Sequence, residues 1–120
     1  MADYDVSDVL LNLVETIASR REASAGKSYT KSLLEAGPKR CARKFGEEAL
    51  ELVVAGVGEG DEAVTSEAAD VIFHLLVLLE ARGLAFDDVL RELASRTGQS
   101  GLEEKASRGA AVTQSTGPSA

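Results

Sequence analysis

The sequence predicts an all-α protein, a bundle of about five helices. Apolar residues recur at spacings of three and four along most of the chain, which is the period of an amphipathic helix. No stretch alternates apolar and polar residues in the manner of a β-strand. With 120 residues the chain can form one hydrophobic core, and dimerisation would help a chain of this size to bury apolar surface.

The first helix is predicted over residues 6–22. Val9, Leu13 and Ile17 follow one another at four-residue intervals and therefore share a face. Asp5 is placed to cap the helix, because a carboxylate there can accept hydrogen bonds from the free N–H groups of the first turn. The segment REASAGKS should end the helix.

Two helices should follow in quick succession. A short one over residues 28–36 is expected to stop at Gly37, since glycine readily adopts the backbone conformation that ends helices. Pro38 should open the next, over residues 38–56, because the N–H that proline lacks has no partner at that position. The glycine-rich segment GVGEGDE then predicts a flexible turn.

A fourth helix is predicted over residues 61–82, ended by Gly83. Between residues 71 and 79 it is apolar on nearly every side, which is typical of a helix buried at the centre of a bundle or in a subunit interface. A last helix should cover residues 86–97.

Beyond the last helix the chain should contain little regular structure. Residues 99–108 could form a turn or two, and residues 109–120 have the small polar composition of a mobile tail. The expected organisation is one all-α domain over residues 1–108, followed by a flexible tail.

Composition excludes several classes of partner. The formal charge of −7 argues against binding of nucleic acid through a basic face. The longest apolar run is far shorter than the ~20 residues that a membrane span needs, so no membrane partner is expected. Cys41 is the single cysteine, so no disulfide can form within the chain, and no apolar leader is evident. We therefore expect a cytoplasmic protein.

Five carboxylates on two helices give the strongest functional indication. They are Glu47, Glu48, Glu51, Glu67 and Asp70. The three on the third helix share one stripe with Lys44, and like charges three or four residues apart cost roughly 0.2–0.5 kcal/mol per pair. A short turn between the helices would fold them antiparallel and bring the two acidic groups face to face.

Such a cluster needs a counter-charge. Carboxylates in a partly apolar setting cannot all ionise without one, and oxygen-only ligands favour Mg²⁺, Mn²⁺ or Ca²⁺ over zinc. Mg²⁺ is usually bound by a few carboxylates together with substrate phosphates, which points to phosphate chemistry. The alternative is a set of solvated surface ion pairs, Arg43 with Glu47 and Lys44 with Glu48. That alternative leaves Glu51 without a cation among its helical neighbours.

Other polar residues have simpler interpretations. A lone histidine in an apolar run, such as His74, is more typical of a hydrogen-bonded core residue than of a ligand. Cys41 is expected to be a small packing residue. Lys39 and Arg40 fall in the first turn of the third helix, where they could form an anion site with the free N–H groups or reach back to nearby carboxylates.

Three stretches resemble a known family. They are SYTKSLLEAGPKRCARKFGEEALELVVA, EAADVIFHLLVLLEARGLAFDDVLREL and SGLEEKASR. Over about residues 7–108 the chain resembles the phosphoribosyl-ATP pyrophosphohydrolases, which belong to the all-α NTP pyrophosphohydrolase (MazG-like) superfamily. The superfamily signature E-E-x-x-E followed by E-x-x-D is present. Ala85 departs from the Ser or Thr cap expected for the last helix.

The resemblance implies an activity and a site. The activity is Mg²⁺-dependent hydrolysis of phosphoribosyl-ATP to phosphoribosyl-AMP and pyrophosphate, the second step of histidine biosynthesis, by a cytoplasmic homodimer. Glu48, Glu51, Glu67 and Asp70 would bind the metal, and Glu47 would orient or deprotonate the attacking water. Lys44, Ser28, Tyr29 and Thr30 would be candidates for contact with the substrate phosphates. Arg40 joins the predicted substrate-binding residues because of the anion site expected at the start of the third helix.

Two other functions remain compatible with the same residues. A house-cleaning pyrophosphohydrolase of free nucleoside triphosphates would share the metal ligands, because these do not select the base or the ribosyl group. A non-catalytic helical partner protein would carry the acidic faces as solvated surface.

Overall fold

The computed structural model describes residues 5–24, 26 and 28–98, and these residues contain helices and no strand. The helices are α1 (Val6–Ser19), α2 (Tyr29–Ala36), α3 (Pro38–Gly58), α4 (Asp61–Ala81) and α5 (Phe86–Arg96). A 3₁₀ turn, Arg20–Glu22, continues α1. The all-α prediction is therefore confirmed. The predicted turns and tail over 99–120 lie outside the described residues, so the proposed domain boundary at residue 108 stays a prediction.

Local chemistry sets most of the helix ends. The Asp5 carboxylate accepts a hydrogen bond from the Ser7 N–H at 2.8 Å and caps α1. The Ser28 hydroxyl accepts from the Lys31 N–H at 3.1 Å and caps α2. Gly37 separates α2 from α3 with a φ of 94°, a conformation that favours glycine, and Pro38 opens α3 as predicted.

The end of α3 differs from the prediction. The helix continues through two glycines to Gly58, and the Glu59 N–H still donates to the Ala55 carbonyl at 2.9 Å. The expected flexible turn is thereby reduced to the link of Glu59 and Gly60. Glycine costs about 1 kcal/mol in a helix interior. Both glycines are exposed, and nothing lies within 4 Å of a Cβ position at either, so the structure shows no contact of theirs that offsets this cost.

The structure divides after Phe86 into two units, of which the first contains α1 to α4. Its core is formed by buried side chains from all four helices, namely Ile17, Leu33, Leu34, Cys41, Leu76 and Val77. The Cys41 thiol donates to the Leu33 carbonyl at 3.2 Å, and burial raises the pKa of this thiol. Cys41 is thus the packing residue that the sequence predicts.

The apolar stretch of α4 is only partly buried within one chain. His74, Leu76 and Val77 are buried, whereas Ile72 is 45% exposed. The expectation of all-round burial is therefore not met by the first unit alone.

An arginine joins the end of α1 to the end of α4. The Arg21 Nε donates to the Glu80 carboxylate at 2.5 Å, and its Nη2 donates to the Glu80 carbonyl at 2.5 Å. Lys31 donates from Nζ to the Arg21 carbonyl. A cation beside the last carbonyls of α4 also complements the helix dipole.

The second unit begins at Asp87 and contains the rest of α5. Asp87 and Asp88 lie in the first turn of this helix, where carboxylates complement the dipole without a Ser or Thr cap. Arg91 pairs with Asp87 at 3.0 Å, and Arg96 pairs with Glu92 at 3.1 Å. In the part of the chain that the structure describes, no helix is long and apolar enough to cross a membrane.

Candidate metal centre

The hairpin of α3 and α4 brings together the two acidic groups. These helices contact each other more extensively than any other described pair, and only Glu59 and Gly60 link them. In the sequence, Glu48 lies about as many residues before the link as Asp70 lies after it. The short link therefore brings these two positions to the same level of the hairpin.

Three carboxylates converge between the two helices. Glu48 from α3 and Glu67 and Asp70 from α4 each present one oxygen, and these oxygens all lie within 4.8 Å of one another. Glu48 and Glu67 are half-buried, whereas Asp70 is exposed. The structure thus brings together three of the four residues that the resemblance assigns to the metal.

Glu67 carries the clearest sign of a missing counter-charge. Its Oε2 is buried and has no hydrogen-bond partner among the described residues. Burial is the largest cause that raises the pKa of Glu67, followed by the charges of Glu51, Asp70 and Glu59. A buried acceptor without a donor is costly, so this oxygen is well suited to bind a cation.

Glu51, the fourth predicted ligand, lies beside this cluster. A hydrogen bond with Glu48, followed by the Glu48 charge, is the main cause that raises the pKa of Glu51. Glu51 and Glu67 also line one cleft of about 290 Å³, together with Leu50, Val54 and Glu59.

Lys44 and Arg43 are the cations beside the acidic cluster. The Lys44 ammonium lies 3.6 Å from a Glu47 oxygen and 3.8 Å from a Glu48 oxygen. Arg43 lies 3.6 Å from the other Glu47 oxygen. These are the ion pairs of the surface interpretation, and they account for two glutamates. Within the described ranges, neither Glu51 nor Glu67 forms an ion pair.

The other predicted substrate-binding residues differ in burial and in hydrogen-bond partners. The Ser28 hydroxyl is the α2 cap, and Thr30 is buried with 8% exposure. Tyr29 is 52% exposed, and its hydroxyl lies 3.1 Å from His74 Nε2. Arg40 is exposed in the first turn of α3 and makes no ion pair with a described residue. Of these four residues, Tyr29 has a connection to α4 that the sequence did not reveal.

Comparison with known proteins decides the family. The family model for phosphoribosyl-ATP pyrophosphohydrolase matches residues 10–97. This chain belongs to that family.

Curated members of the phosphoribosyl-ATP pyrophosphohydrolase family are similar over nearly their whole length. A phosphoribosyl-ATP pyrophosphatase of Azorhizobium caulinodans is 54% identical over 99 residues, which cover 82% of this chain and 91% of the relative. That of Dinoroseobacter shibae is 54% identical over 101 residues, covering 83% and 98%. Phosphoribosyl-ATP pyrophosphatase 1 of Rhodopseudomonas palustris is 52% identical over 99 residues, covering 82% and 92%.

The donor set of this phosphoribosyl-ATP pyrophosphohydrolase family member fits a hard divalent cation. Each of the three converging ligand atoms is a carboxylate oxygen, and His74 and Cys41 are turned to other partners. Oxygen-only sites of this kind suit Mg²⁺ or Mn²⁺. The unpartnered Glu67 Oε2 could serve as a ligand of such an ion.

Proposed function

We propose that this protein hydrolyses phosphoribosyl-ATP to phosphoribosyl-AMP and pyrophosphate, the second step of histidine biosynthesis. The family match over residues 10–97 carries this proposal. The site supports it, because converging carboxylates with a buried unpartnered oxygen suit metal-assisted cleavage of a phosphoric anhydride.

Mg²⁺ is the proposed cofactor, with Glu48, Glu67 and Asp70 as its ligands. When bound, the ion would neutralise phosphate charge, polarise phosphoryl oxygens and acidify water. Glu51 is the proposed fourth ligand, since it lines the same cleft as Glu67. A chain with a formal charge of −7 repels a polyphosphate, and a bound cation would reduce that repulsion.

Glu47 is the residue that we propose to orient or deprotonate the attacking water. Its side chain is 49% exposed, so water has direct access to the carboxylate. Arg43 lies 3.6 Å from one Glu47 oxygen and Lys44 lies 3.6 Å from the other, and both distances are longer than a hydrogen bond. The carboxylate can therefore accept a hydrogen bond from water, as a general base must.

Lys44 and Tyr29 are the proposed phosphate contacts with the best placement. The Lys44 ammonium lies 3.6 Å from Glu47 and 3.8 Å from Glu48, and it can exchange these long ion pairs for a phosphate oxygen. The hydroxyls of Ser28 and Thr30 are a helix cap and a buried group, so we expect smaller contributions from them. Arg40, at the start of α3, remains a proposed contact through its charge and the nearby free N–H groups.

A homodimer is part of the proposal. Leu50, Val53, Val54 and Val57 share one face of α3 and are 55–86% exposed. Such a stripe at spacings of three and four is the usual mark of a helix that packs against another helix. A second copy would cover it and could also cover Ile72. A cytoplasmic location belongs to the same proposal, because the nucleotide substrate is made from ATP.

The deciding experiment measures pyrophosphate release from phosphoribosyl-ATP, with and without Mg²⁺, beside a panel of ordinary nucleoside triphosphates. Mg²⁺-dependent release from phosphoribosyl-ATP alone is the expected result. Release mainly from the panel would indicate a house-cleaning enzyme with the same metal site. Absence of release from every substrate, together with no thermal stabilisation by Mg²⁺, would indicate a non-catalytic helical partner protein.

A further inference from the structure

The cleft between α3 and α4 extends beyond the metal cluster. It has a volume of about 290 Å³ and is lined by Leu50, Glu51, Val54, Glu59 and Glu67. Glu51 and Glu67 belong to the proposed metal site, whereas the other three lining residues have no role in metal binding. Because the cleft shares a wall with the metal ligands, it is the place for the part of a substrate that is attached to the phosphates.

The cleft has an apolar wall on α3. Leu50 and Val54 are four residues apart, so they share one face of the helix, and they are 64% and 55% exposed. Val53 and Val57, the other residues of the exposed α3 stripe, do not line the cleft. A flat ring in the cleft would therefore cover the side of the apolar wall that faces Glu67, while a second copy on Val53 and Val57 would border the cleft.

Glu59 adds a carboxylate that the metal cluster does not use. It lies in the two-residue link between the helices, and among the described residues it forms no ion pair. Glu59 follows Glu51 by eight residues, which corresponds to roughly 12 Å along a helix axis. This span is comparable with the distance from the phosphates to the far edge of the base in a nucleotide. A substrate with its phosphates at the metal would thus place its base between the apolar wall and Glu59.

The charge of the cleft favours a cationic base. Three of its lining residues are glutamates, and no lysine or arginine is among its described residues. Ordinary adenine is uncharged near neutral pH. Adenine substituted at N1 is a cation there, because N1, C6 and N6 then form an amidine, which is a strong base and keeps a proton. Phosphoribosyl-ATP carries its phosphoribosyl group on N1, so its base is complementary in charge to the cleft.

We propose that Glu59 is a specificity-determining residue, which selects substrates whose adenine is cationic through substitution at N1. The proposal rests on the proposed function for the identity of the substrate. Leu50 and Val54 contact the face of the base, and the Glu59 carboxylate accepts a hydrogen bond from the protonated amidine at its edge. A metal site binds the phosphates of any nucleotide, so it is this cleft that separates phosphoribosyl-ATP from ordinary nucleoside triphosphates.

A matched pair of ligands tests this selection without turnover. AMP and 1-methyl-AMP differ by one methyl group and one positive charge. With Mg²⁺ present, we expect calorimetry to show that the wild type binds 1-methyl-AMP about tenfold more tightly, and that Glu59→Gln lowers this preference to about twofold. Glu62→Gln is the matched control, because Glu62 is an exposed glutamate of the same hairpin that does not line the cleft. An equal loss of preference in both variants would overturn the proposal.

Two changes of condition separate the charge from the size of the methyl group. Above the pKa of its amidine, 1-methyl-AMP is neutral, so the wild-type preference should disappear. Glu59 is exposed, so the preference should also fall when the salt concentration rises from about 0.01 M to about 1 M. A preference that survives both changes would come from the methyl group itself and would contradict the role of Glu59.

The apolar wall has a separate signature. Val54→Ala should weaken the binding of AMP and 1-methyl-AMP by the same factor, about threefold, because the lost methyl groups do not distinguish the charges. Val53→Ala is the control, since Val53 is 60% exposed on the same helix but does not line the cleft, and it should weaken neither ligand as much. Equal weakening by the two variants would place the base elsewhere and contradict the proposal.

Kinetics distinguish this proposal from the proposed function. Glu59→Gln should raise KM for phosphoribosyl-ATP by about tenfold with kcat changed less than about twofold. A wild type that prefers 1-methyl-AMP through Glu59 but does not hydrolyse phosphoribosyl-ATP would contradict only the proposed function. An active wild type without a preference that depends on Glu59 would contradict only the role of Glu59.

Discussion

One carboxylate oxygen of Glu48 lies within 4.8 Å of one of Glu67, although the two residues belong to different helices. Like charges this close repel, and Glu67 also has a buried oxygen without a partner. Without a metal, this repulsion and the unpaired oxygen lower the stability of the folded protein. A bound divalent cation would reduce both costs. The first predictions below follow from this relationship.

Glu67→Gln should lower pyrophosphate release from phosphoribosyl-ATP by more than about tenfold, or 1.4 kcal/mol in the activation barrier. The amide keeps the shape of the side chain but removes the charge that a cation needs, so helix content by circular dichroism should not change. Glu15→Gln is the matched control, because Glu15 is an exposed glutamate within α1. A similar loss in both variants, or none in Glu67→Gln, would exclude the metal-ligand role.

Glu51→Gln should abolish activity with unchanged helix content, because it removes the charge of a proposed metal ligand that lines one cleft with Glu67. Retention of more than about a tenth of the wild-type rate would show that Glu48, Glu67 and Asp70 suffice as ligands. Comparison of Glu67→Gln with Glu51→Gln therefore tests whether Glu51 is a ligand in addition to the three converging carboxylates.

Raising the pH should destabilise the metal-free protein. The folded-state pKa values of Glu67 and Glu51 lie above the ordinary value of 4.5, so the folded protein binds more protons than the unfolded chain in that window. Stability then falls as the pH rises from about 4.5 through the raised pKa values. In EDTA, the Tm of the wild type should fall relative to that of Glu67→Gln as the pH rises from about 4.5 through the raised pKa values.

Mg²⁺ should reverse that loss. A ligand at 100 times its Kd stabilises the folded state by about 2.7 kcal/mol, and the effect should grow as the carboxylates lose their protons. An equal Mg²⁺ effect at low and high pH would contradict the assignment of these groups to the metal.

Arg21→Ala should lower the free energy of unfolding by about 1 kcal/mol, because two hydrogen bonds between the end of α1 and Glu80 are lost. Arg21→Lys should recover less than half of this, since an ammonium cannot reproduce the fixed geometry of Nε and Nη2. Arg91→Ala, which removes an ion pair within α5 at 77% exposure, should cost only about 0.3–0.5 kcal/mol. Urea titration measures all three, and equal losses would contradict a special role for Arg21.

Val53→Lys and Val57→Lys should convert the proposed dimer into a monomer, because each places a charge on the apolar face of α3. Light scattering after gel filtration measures the mass. Leu11→Lys, at an exposed apolar position of α1, should leave the dimer intact. Dissociation by the α1 change alone would place the interface there, and a monomeric wild type would exclude the dimer.

The helix boundaries could largely be predicted from the sequence, because they depend on residues within one turn of the helix end. Asp5 as a cap, Gly37 at positive φ and Pro38 at the first helical position each act through their own backbone or the next N–H groups. The predicted end of α3, at about residue 56, falls two residues short, because the helix and its hydrogen bond from the Glu59 N–H to the Ala55 carbonyl continue through Gly58.

The residues of the candidate site could also be identified in advance, because a cluster of carboxylates conflicts with local electrostatics and its spacing is visible along each helix. The environments of these residues could not be predicted from the sequence. Tertiary structure alone decided that Glu67 has a buried unpartnered oxygen, that Glu48 of α3 converges with Glu67 and Asp70 of α4, and that Tyr29 meets His74. Sequence patterns specify which residues share a face of one helix. Burial, hydrogen-bond partners and pKa depend on which faces of different helices pack together.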